Sequence, residues 1–396
     1  MQDLIQRYIQ KLQKQRSSFQ RSAYHFLEEN HRLIGIKGAR GTGKTTLLLQ
    51  FAMNQTNYES DVLYASLDNF YFSNHRLYAL AEEFSKRGGR ILLLDEVHKY
   101  EGWARELKNI YDDFDELKVI FTGSSLLEIL DAKADLSRRA IVFEIQGLSF
   151  REFLAIEHGI QLSHYSLDEL INNHAEISQT IVTDIRPFQF FKDYLEYGYY
   201  PFFKESKELY PQKLEAVVNL ILQIELPQLR KFDISNLSKM KKLLVVLAES
   251  APFKPNISKL SERTKINRVS LLQYVYYLQE AGLTRNLFKN AKGITVFQKP
   301  EKLYLDNTNL SYLFSRNLDM GAARETFFVN QLSHFHQIEY AEKGDFLVDG
   351  KFTFEVGGRN KSRKQIINVP SSYRALDDIE YGTGEAIPLW LFGFLY

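Results

Sequence analysis

Gly38-Ala39-Arg40-Gly41-Thr42-Gly43-Lys44-Thr45 fits the spacing G-x-x-x-x-G-K-[ST]. Each residue type in that spacing has a chemical reason. Glycines let backbone N–H groups wrap phosphate oxygens, and a lysine there reaches the β- and γ-phosphates. The hydroxyl that follows ligates Mg²⁺. A helix beginning at that point turns its positive dipole end toward the anion. The stretch therefore predicts a cradle for ATP and Mg²⁺, built from Gly38, Ala39, Arg40, Gly41, Thr42, Gly43, Lys44, Thr45 and Thr46.

A cradle needs a strand before it and a helix after it. "RLIGIK" reads as a buried strand and "TTLLLQFAMNQ" as a helix. Hydrolysis also needs carboxylates. "RILLLDEVHKY" supplies them: Ile91 to Leu94 read as a strand buried on both faces of a parallel sheet, followed by Asp95 and Glu96. Ligands bind at the C-terminal ends of such strands. Asp95 is expected to hold the Mg²⁺ shell with Thr45, and Glu96 to orient or deprotonate the attacking water. His98 and Lys99 read as strand caps rather than ligands. A third strand, "LKVIFTGSSLLEIL", ends in Thr122, Ser124 and Ser125. Ser124 either senses the γ-phosphate or caps a helix. In "ADLSRRA", Arg138 and Arg139 offer an arginine finger, in cis or into a neighbouring subunit of a homo-oligomer, or else a salt-bridged surface pair.

"GARGTGKTTLL", "LLLDEVHKYEGWARELKNIYDDF", "FTGSSLLEI", "ADLSRRA" and "IQGLSFREFL" together resemble prokaryotic ATPases of the AAA+ superfamily that carry a further C-terminal region. These are akin to the archaeal-type ATPases and the STAND signalling NTPases. The resemblance covers essentially the whole chain and is most specific from Gly38 to Leu154. It implies an ATPase. "YLEYGYYPFF" resembles the GG-x-P segment of that family's helical lid, with Tyr199 in place of the second glycine. The resemblance implies that Pro201 contacts the nucleotide base.

The composition agrees with a folded, multidomain chain. It has 396 residues, 29 Phe and 23 Tyr, enough for several cores. With no cysteine, disulfides and thiolate metal sites are excluded. The N-terminal stretch is amphipathic without an apolar h-region, and no apolar run approaches the ~20 residues of a membrane span. A cytoplasmic protein without a membrane partner is expected. The fold class read from these elements is α/β: a P-loop core with its N-terminal helix at 1–150, a helical lid at 151–235, a winged helix at 236–305 and a PD-(D/E)xK-like α/β module, similar to restriction endonucleases, at 306–396.

The net charge of +1 conceals an uneven distribution. From Lys239 to Lys302 there are 13 Lys+Arg and 4 Asp+Glu, so this segment carries +9 and the remainder −8. "SKMKKLLVVLAES", "NISKLSERTKI" and "NRVSLLQYVYYLQEAGL" read as three helices, the last with Leu271, Leu272, Val275 and Leu278 on its apolar face. A hairpin at Asn290–Gly293 follows, the order of a winged helix. Arg268, Ser270, Gln273 and Tyr277 are expected to face a groove of DNA, with Lys289 and Lys292 on the wing. The same module without DNA packs domains or binds protein.

The last segment carries Glu325 on a helix, Asp345 before a strand and Glu355 near the end of the next, followed by the beginning of a helix at 359–364. That order resembles the PD-(D/E)xK nuclease layout, but Gly357 stands at the lysine position. A glycine carries no cation to activate water, so nuclease activity is not expected unless Lys361 or Lys364 substitutes. Two functions compete. One is an ATPase coupled to DNA through the basic module, and the other is a STAND-like switch gated by ATP and ADP that signals through protein contacts.

Overall fold

Short aliphatic runs separated by loops and helices fold the first third of the chain into a parallel sheet. The computed structural model describes residues 1–15, 19–123, 136, 138–230, 236–249, 256–289, 298–315 and 317–396. These divide into two units, Met1–Gly147 and Leu148–Tyr396. In the first, β1 (Leu33–Lys37), β2 (Val62–Ser66), β3 (Ile91–Asp95), β4 (Lys118–Gly123) and β5 (Ile141–Glu144) pair in the order β2-β3-β4-β1-β5, all parallel. Leu92 and Leu94 enter one core with Leu33, Leu63 and Phe121. Leu93 enters another with Ile34, Tyr64 and Ile120. This alternation is what the two-residue period of a strand requires when both faces are covered. Each of these leucines is fully buried, which stabilises the fold by about 1.5–3 kcal/mol per side chain relative to exposure.

Helices α1 (Gln2–Lys14), α2 (His25–Glu28), α3 (Lys44–Met53), α4 (Leu77–Lys86) and α5 (Trp103–Asp113) belong to the same unit. α1 buries Leu4, Tyr8 and Leu12, a stripe four residues apart that faces the sheet. Gly35 in β1 has a steric role: a Cβ there would lie 2.6 Å from the Phe121 ring. The register sets Ser66 beside Asp95 and Lys37 beside Gly123. The C-terminal ends of β1, β3 and β4 therefore share one edge of the sheet, the edge at which parallel sheets present ligands.

The second unit begins with α6 (Phe150–His158) and α7 (Leu167–Asp184). Each starts with a capping box, Ser149 with Glu152 and Ser166 with Glu169. Next are α8 (Phe188–Tyr197), α9 (Tyr210–Leu220) and α10 (Leu226–Arg230). Then come α11 (Leu237–Ala248), α12 (Ile257–Thr264), α13 (Arg268–Glu280), and β6 (Thr284–Leu287) paired antiparallel with β7 (Lys302–Leu305). The expected Asn290–Gly293 turn lies outside the described residues. On α13 the buried residues are Leu271, Tyr274, Val275 and Leu278. Leu272 was expected on that face but is only half-buried, and the ring of Tyr274 takes its place.

After α14 (Thr308–Phe314) and α15 (Met320–Leu332), a mixed sheet closes the unit. Its strands are β8 (Ile338–Tyr340), β9 (Phe346–Val348), β10 (Phe352–Gly357), β11 (Ser372–Leu376) and β12 (Ala386–Pro388), in the order β12-β11-β10-β9-β8. Two expectations need correction here. Residues 338–357 form three strands, not two, because the three-residue β8 pairs antiparallel with β9. Residues 359–364 do not start a helix; the chain from 358 to 370 runs through turns such as Lys361 N–H to Gly358 O and Ile366 N–H to Arg363 O. The physical reason is that Ile366 is the one buried side chain in this stretch, so a helix would have no apolar face to pack. Asp349 and Gly350 both take positive φ, 53° and 66°, and make the tight turn between β9 and β10. Among the described residues no helix is long and apolar enough to cross a membrane.

Candidate nucleotide-binding site

The loop after β1 is shaped by its glycines. Gly41 and Gly43 take φ of 85° and 92°, a region open to glycine and costly for other residues. A Cβ on Gly38 would lie 2.5 Å from the Ile145 carbonyl oxygen. Thr42 is fully buried and donates its hydroxyl to Ala39 O at 2.8 Å, which ties the loop across its own curve. The Lys44 ammonium sits inside that curve, donating to Gly38 O at 2.8 Å and Ala39 O at 2.9 Å. Arg40 is half-buried, and Thr46 is exposed on the first turn of α3. Gly43 precedes Lys44, the first residue of α3, so the loop and the helix N-terminus are continuous.

Arg21, absent from the expected site, braces the loop from behind. It is buried and donates to Thr42 O at 2.7 Å, Gln146 O at 3.0 Å and Gly147 O at 2.7 Å. An arginine within an unremarkable polar stretch gives no motif that would reveal this.

Asp95 lies at the end of β3 and is buried. Its Oδ2 accepts from the Thr45 hydroxyl at 2.7 Å and from the Tyr64 hydroxyl at 2.7 Å. Its Oδ1 accepts from the Thr122 hydroxyl. Thr45 and Asp95, 50 residues apart, are thus in direct contact. Thr122 also accepts from the Glu96 N–H at 3.3 Å, so it serves the two acids. Ser124 lies outside the described residues.

Glu96 takes φ 55°, ψ 44°, a left-handed conformation uncommon for a non-glycine residue. Such positions cost of order 1–3 kcal/mol and cluster at functional sites. The His98 Nε2 is 3.3 Å from Glu96 Oε2, and the imidazole is only 3% exposed. Burial, then the charges of Lys99, Lys44 and Arg40, push His98 down to about 4. The buried imidazole thus faces the Glu96 carboxylate directly after the strand.

The paired arginines diverge. Arg139 makes a two-pronged pair with Asp112, Nε to Oδ1 at 2.7 Å and Nη2 to Oδ2 at 2.9 Å. Arg138 is exposed and has no ion-pair partner among the described residues. In the second unit, Pro201 is half-buried and opens a short 3₁₀ turn, with Tyr199 and Tyr200 buried just before it.

The basic segment is less exposed as charge than its sequence suggests. Lys302 is buried against Glu325 at 3.0 Å and Asp345 at 3.1 Å. Arg285 pairs with Asp306 at 2.9 Å, and Lys289 pairs with Glu342. Gln273 donates to the Tyr277 hydroxyl at 2.6 Å. Lys259, Lys265 and Arg268 remain exposed around the connection of α12 to α13, and among the described residues none has an ion-pair partner. Lys292 lies outside the described residues.

The C-terminal carboxylates are neutralised by lysines. Glu325 and Asp345 share Lys302, and Lys361 lies 3.4 Å from Glu355 Oε1 and 3.7 Å from Asp345 Oδ2. Gly357 makes room for this: a Cβ there would lie 2.8 Å from the aliphatic carbons of Lys361. The glycine at the lysine position is therefore the gap through which a lysine four residues on folds back. Burial raises the Glu325 and Glu355 carboxyls, opposed by Lys302 and Lys361 respectively. Among the described residues no group of three His, Asp or Glu side chains is arranged to hold a metal ion.

Residues 30–154 match the AAA_14 family model, described as an AAA domain. The matched segment is the one that carries the loop, Asp95 and Glu96. The uncharacterised protein MJ1637 of Methanocaldococcus jannaschii is 29% identical over 290 residues. The match takes in 68% of this chain and spans 60% of that relative's length. Among solved structures, the Walker-type ATPase PABY2304 of Pyrococcus abyssi aligns with 13% identity and a TM-score of 0.41, covering 75% of this chain and 95% of its own. DnaA from Aquifex aeolicus, bound to AMPPCP, aligns with 18% identity and a TM-score of 0.26, covering 65% and 84%. Both superpositions are loose.

Proposed function

We propose that this protein binds and hydrolyses ATP with Mg²⁺, using Lys44 on the phosphates, Thr45 and Asp95 at the metal and Glu96 at the attacking water. One observation carries the reading: the glycine loop encloses the Lys44 ammonium while the next residue, Thr45, donates to the buried Asp95. An all-oxygen pair of hydroxyl and carboxylate suits Mg²⁺, a hard cation that keeps several waters. When bound, Mg²⁺ supplies charge neutralisation to the phosphate oxygens. The chain's own residues do the rest. Lys44 exchanges loop carbonyls for phosphate oxygens, and the loop N–H groups and the α3 N-terminus fix their orientation. Glu96 accepts the proton of the water, and His98 steadies its carboxylate. Arg138 is the better finger candidate, because Arg139 already holds Asp112.

The second part of the proposal is that ATP turnover is coupled to DNA. The order of α11 to β7, three helices followed by an antiparallel strand pair, supports it, and a winged helix at 236–305 within a four-part division at residues 150, 235 and 305 is proposed with it. The exposed cations Lys259, Lys265 and Arg268 supply phosphate contacts of the kind that dominate non-specific affinity. The competing reading, a nucleotide-gated protein switch, is favoured by the ion pairs that occupy Arg285, Lys289 and Lys302. The C-terminal module is proposed to be inactive as a nuclease, since lysines already neutralise its carboxylates. The deciding measurement is ATP turnover of the full chain with and without duplex DNA. Turnover stimulated by DNA supports coupling. Turnover indifferent to DNA moves the assignment to the switch, and no turnover under any condition removes the ATPase reading.

A further inference from the structure

Tyr64 interrupts an otherwise aliphatic or small-residue strand, "VLYAS", and its ring packs in the core with Tyr8, Leu12, Leu93 and Ile120. Phenylalanine would pack there equally well, so the hydroxyl asks for its own explanation. Buried hydroxyls cost free energy unless hydrogen-bonded. This one is bonded on both sides: it donates to Asp95 Oδ2 at 2.7 Å and accepts from the Lys11 ammonium at 2.9 Å. Lys11 also stands 4.5 Å from the centre of the Tyr64 ring. Tyr64 is only 3% exposed.

A carboxylate offers about four lone-pair directions, two on each oxygen. Oδ2 of Asp95 is filled by the hydroxyls of Thr45 and Tyr64. Oδ1 accepts from Thr122 and, among the described residues, keeps its second direction. The arrangement fixes which edge of Asp95 remains for an incoming donor. It also connects the carboxylate to a charge on the N-terminal helix.

We infer that Lys11 and Tyr64 are positioning residues for Mg²⁺ binding: α1 sets the orientation of Asp95 through the Tyr64 hydroxyl. Lys11 polarises that hydroxyl and makes it a stronger donor. The N-terminal helix is thereby part of the metal site without touching the metal. The inference rests on the proposed Mg²⁺·ATP reading of Asp95.

The test is the affinity of the full-length protein for a fluorescent ADP analogue, with saturating Mg²⁺ and with EDTA. Wild type binds more tightly with Mg²⁺. In Tyr64→Phe that advantage falls about tenfold, the usual effect of removing a hydrogen-bond partner of a metal-binding side chain, while affinity in EDTA is unchanged. Lys11→Met gives a smaller fall, because it acts on Asp95 only through Tyr64, and Lys11→Arg retains the advantage. A purely structural role would weaken binding equally in both conditions. If wild type shows the Mg²⁺ advantage and both Tyr64→Phe and Lys11→Met retain it in full, the positioning role is overturned and the metal reading stands. If wild type shows no such advantage, the metal reading falls and the positioning role with it.

Discussion

Asp95 and Glu325 are both buried carboxylates, yet their partners differ in kind. Hydroxyls of Thr45, Tyr64 and Thr122 surround Asp95. The Lys302 ammonium and the Tyr304 hydroxyl hold Glu325, and two further carboxylates with a second lysine complete that cluster. Hydroxyls orient a carboxylate without cancelling its charge, whereas an ammonium cancels it. On the proposed reading, the first arrangement aims a carboxylate at a cation. The second is ion-paired within the protein, and on the proposed reading its residues work as internal bonds. Two buried acidic residues thus differ in the neutral or charged nature of their neighbours.

The largest expected effect separates the two regions by activity. Glu96→Gln should retain nucleotide binding and lose turnover by about 10²–10⁴-fold, the usual contribution of a positioned general base. Glu355→Ala should leave turnover unchanged. Equal loss in both variants, measured as phosphate release per subunit, would erase the distinction. Cleavage of linear or circular DNA with Mg²⁺ or Mn²⁺ that survives Lys44→Ala but vanishes in Glu355→Ala would show the second cluster to be a working site.

Stability should divide them the other way. Lys302→Met leaves Glu325 and Asp345 without their shared cation, and breaking such a buried pair costs about 3–5 kcal/mol. Urea unfolding of the second unit's transition measures it. Thr122→Val, which removes one hydroxyl from Asp95, should cost only ~1–3 kcal/mol. A smaller loss for Lys302→Met than for Thr122→Val would contradict the contrast.

A pH effect of intermediate size belongs to the nucleotide region. His98 is held at about 4, below its ordinary value, mainly by burial. Between these values the unfolded chain binds the proton and the folded chain does not. Stability from the neutral imidazole is therefore present above the unfolded value and lost as pH falls toward 4. The loss should amount to about 1–3 kcal/mol. Urea melts between pH 7.5 and 4.5 should show a steeper decline for wild type than for His98→Asn; parallel profiles would remove His98 from the account.

The smallest effect concerns the basic segment. Lys259→Glu, Lys265→Glu and Arg268→Glu together should weaken DNA binding to all sequences alike and flatten its salt dependence, because each phosphate contact releases counterions. Substituting Lys289, already paired with Glu342, should change less. Equal effects at both places would mean that the ion pair does not persist in solution.

Local sequence carried much of this architecture. The phosphate loop is legible because its spacing encodes backbone conformation directly: Gly41 and Gly43 are required by positive φ, and Gly38 by the close approach of the Ile145 carbonyl. The run before Asp95 announces a strand buried on both faces because four apolar residues in succession admit no solvated side. Charge was legible only as a sum. Three cations of the basic segment are paired with acids beyond it, and pairing across the chain leaves no local trace. The same limit hid the helix that did not form at 359–364, where only packing reveals that a single apolar residue has a core to enter. Only tertiary structure brought Lys11, Tyr64, Asp95 and Thr122 into one network, and only tertiary structure turned Gly357 into space for Lys361. The reason is one of range. Dihedral demands and two-residue periodicity act between neighbours and are written in order along the chain, whereas the partner that fixes a buried charge is chosen by a fold that joins residues dozens of positions apart.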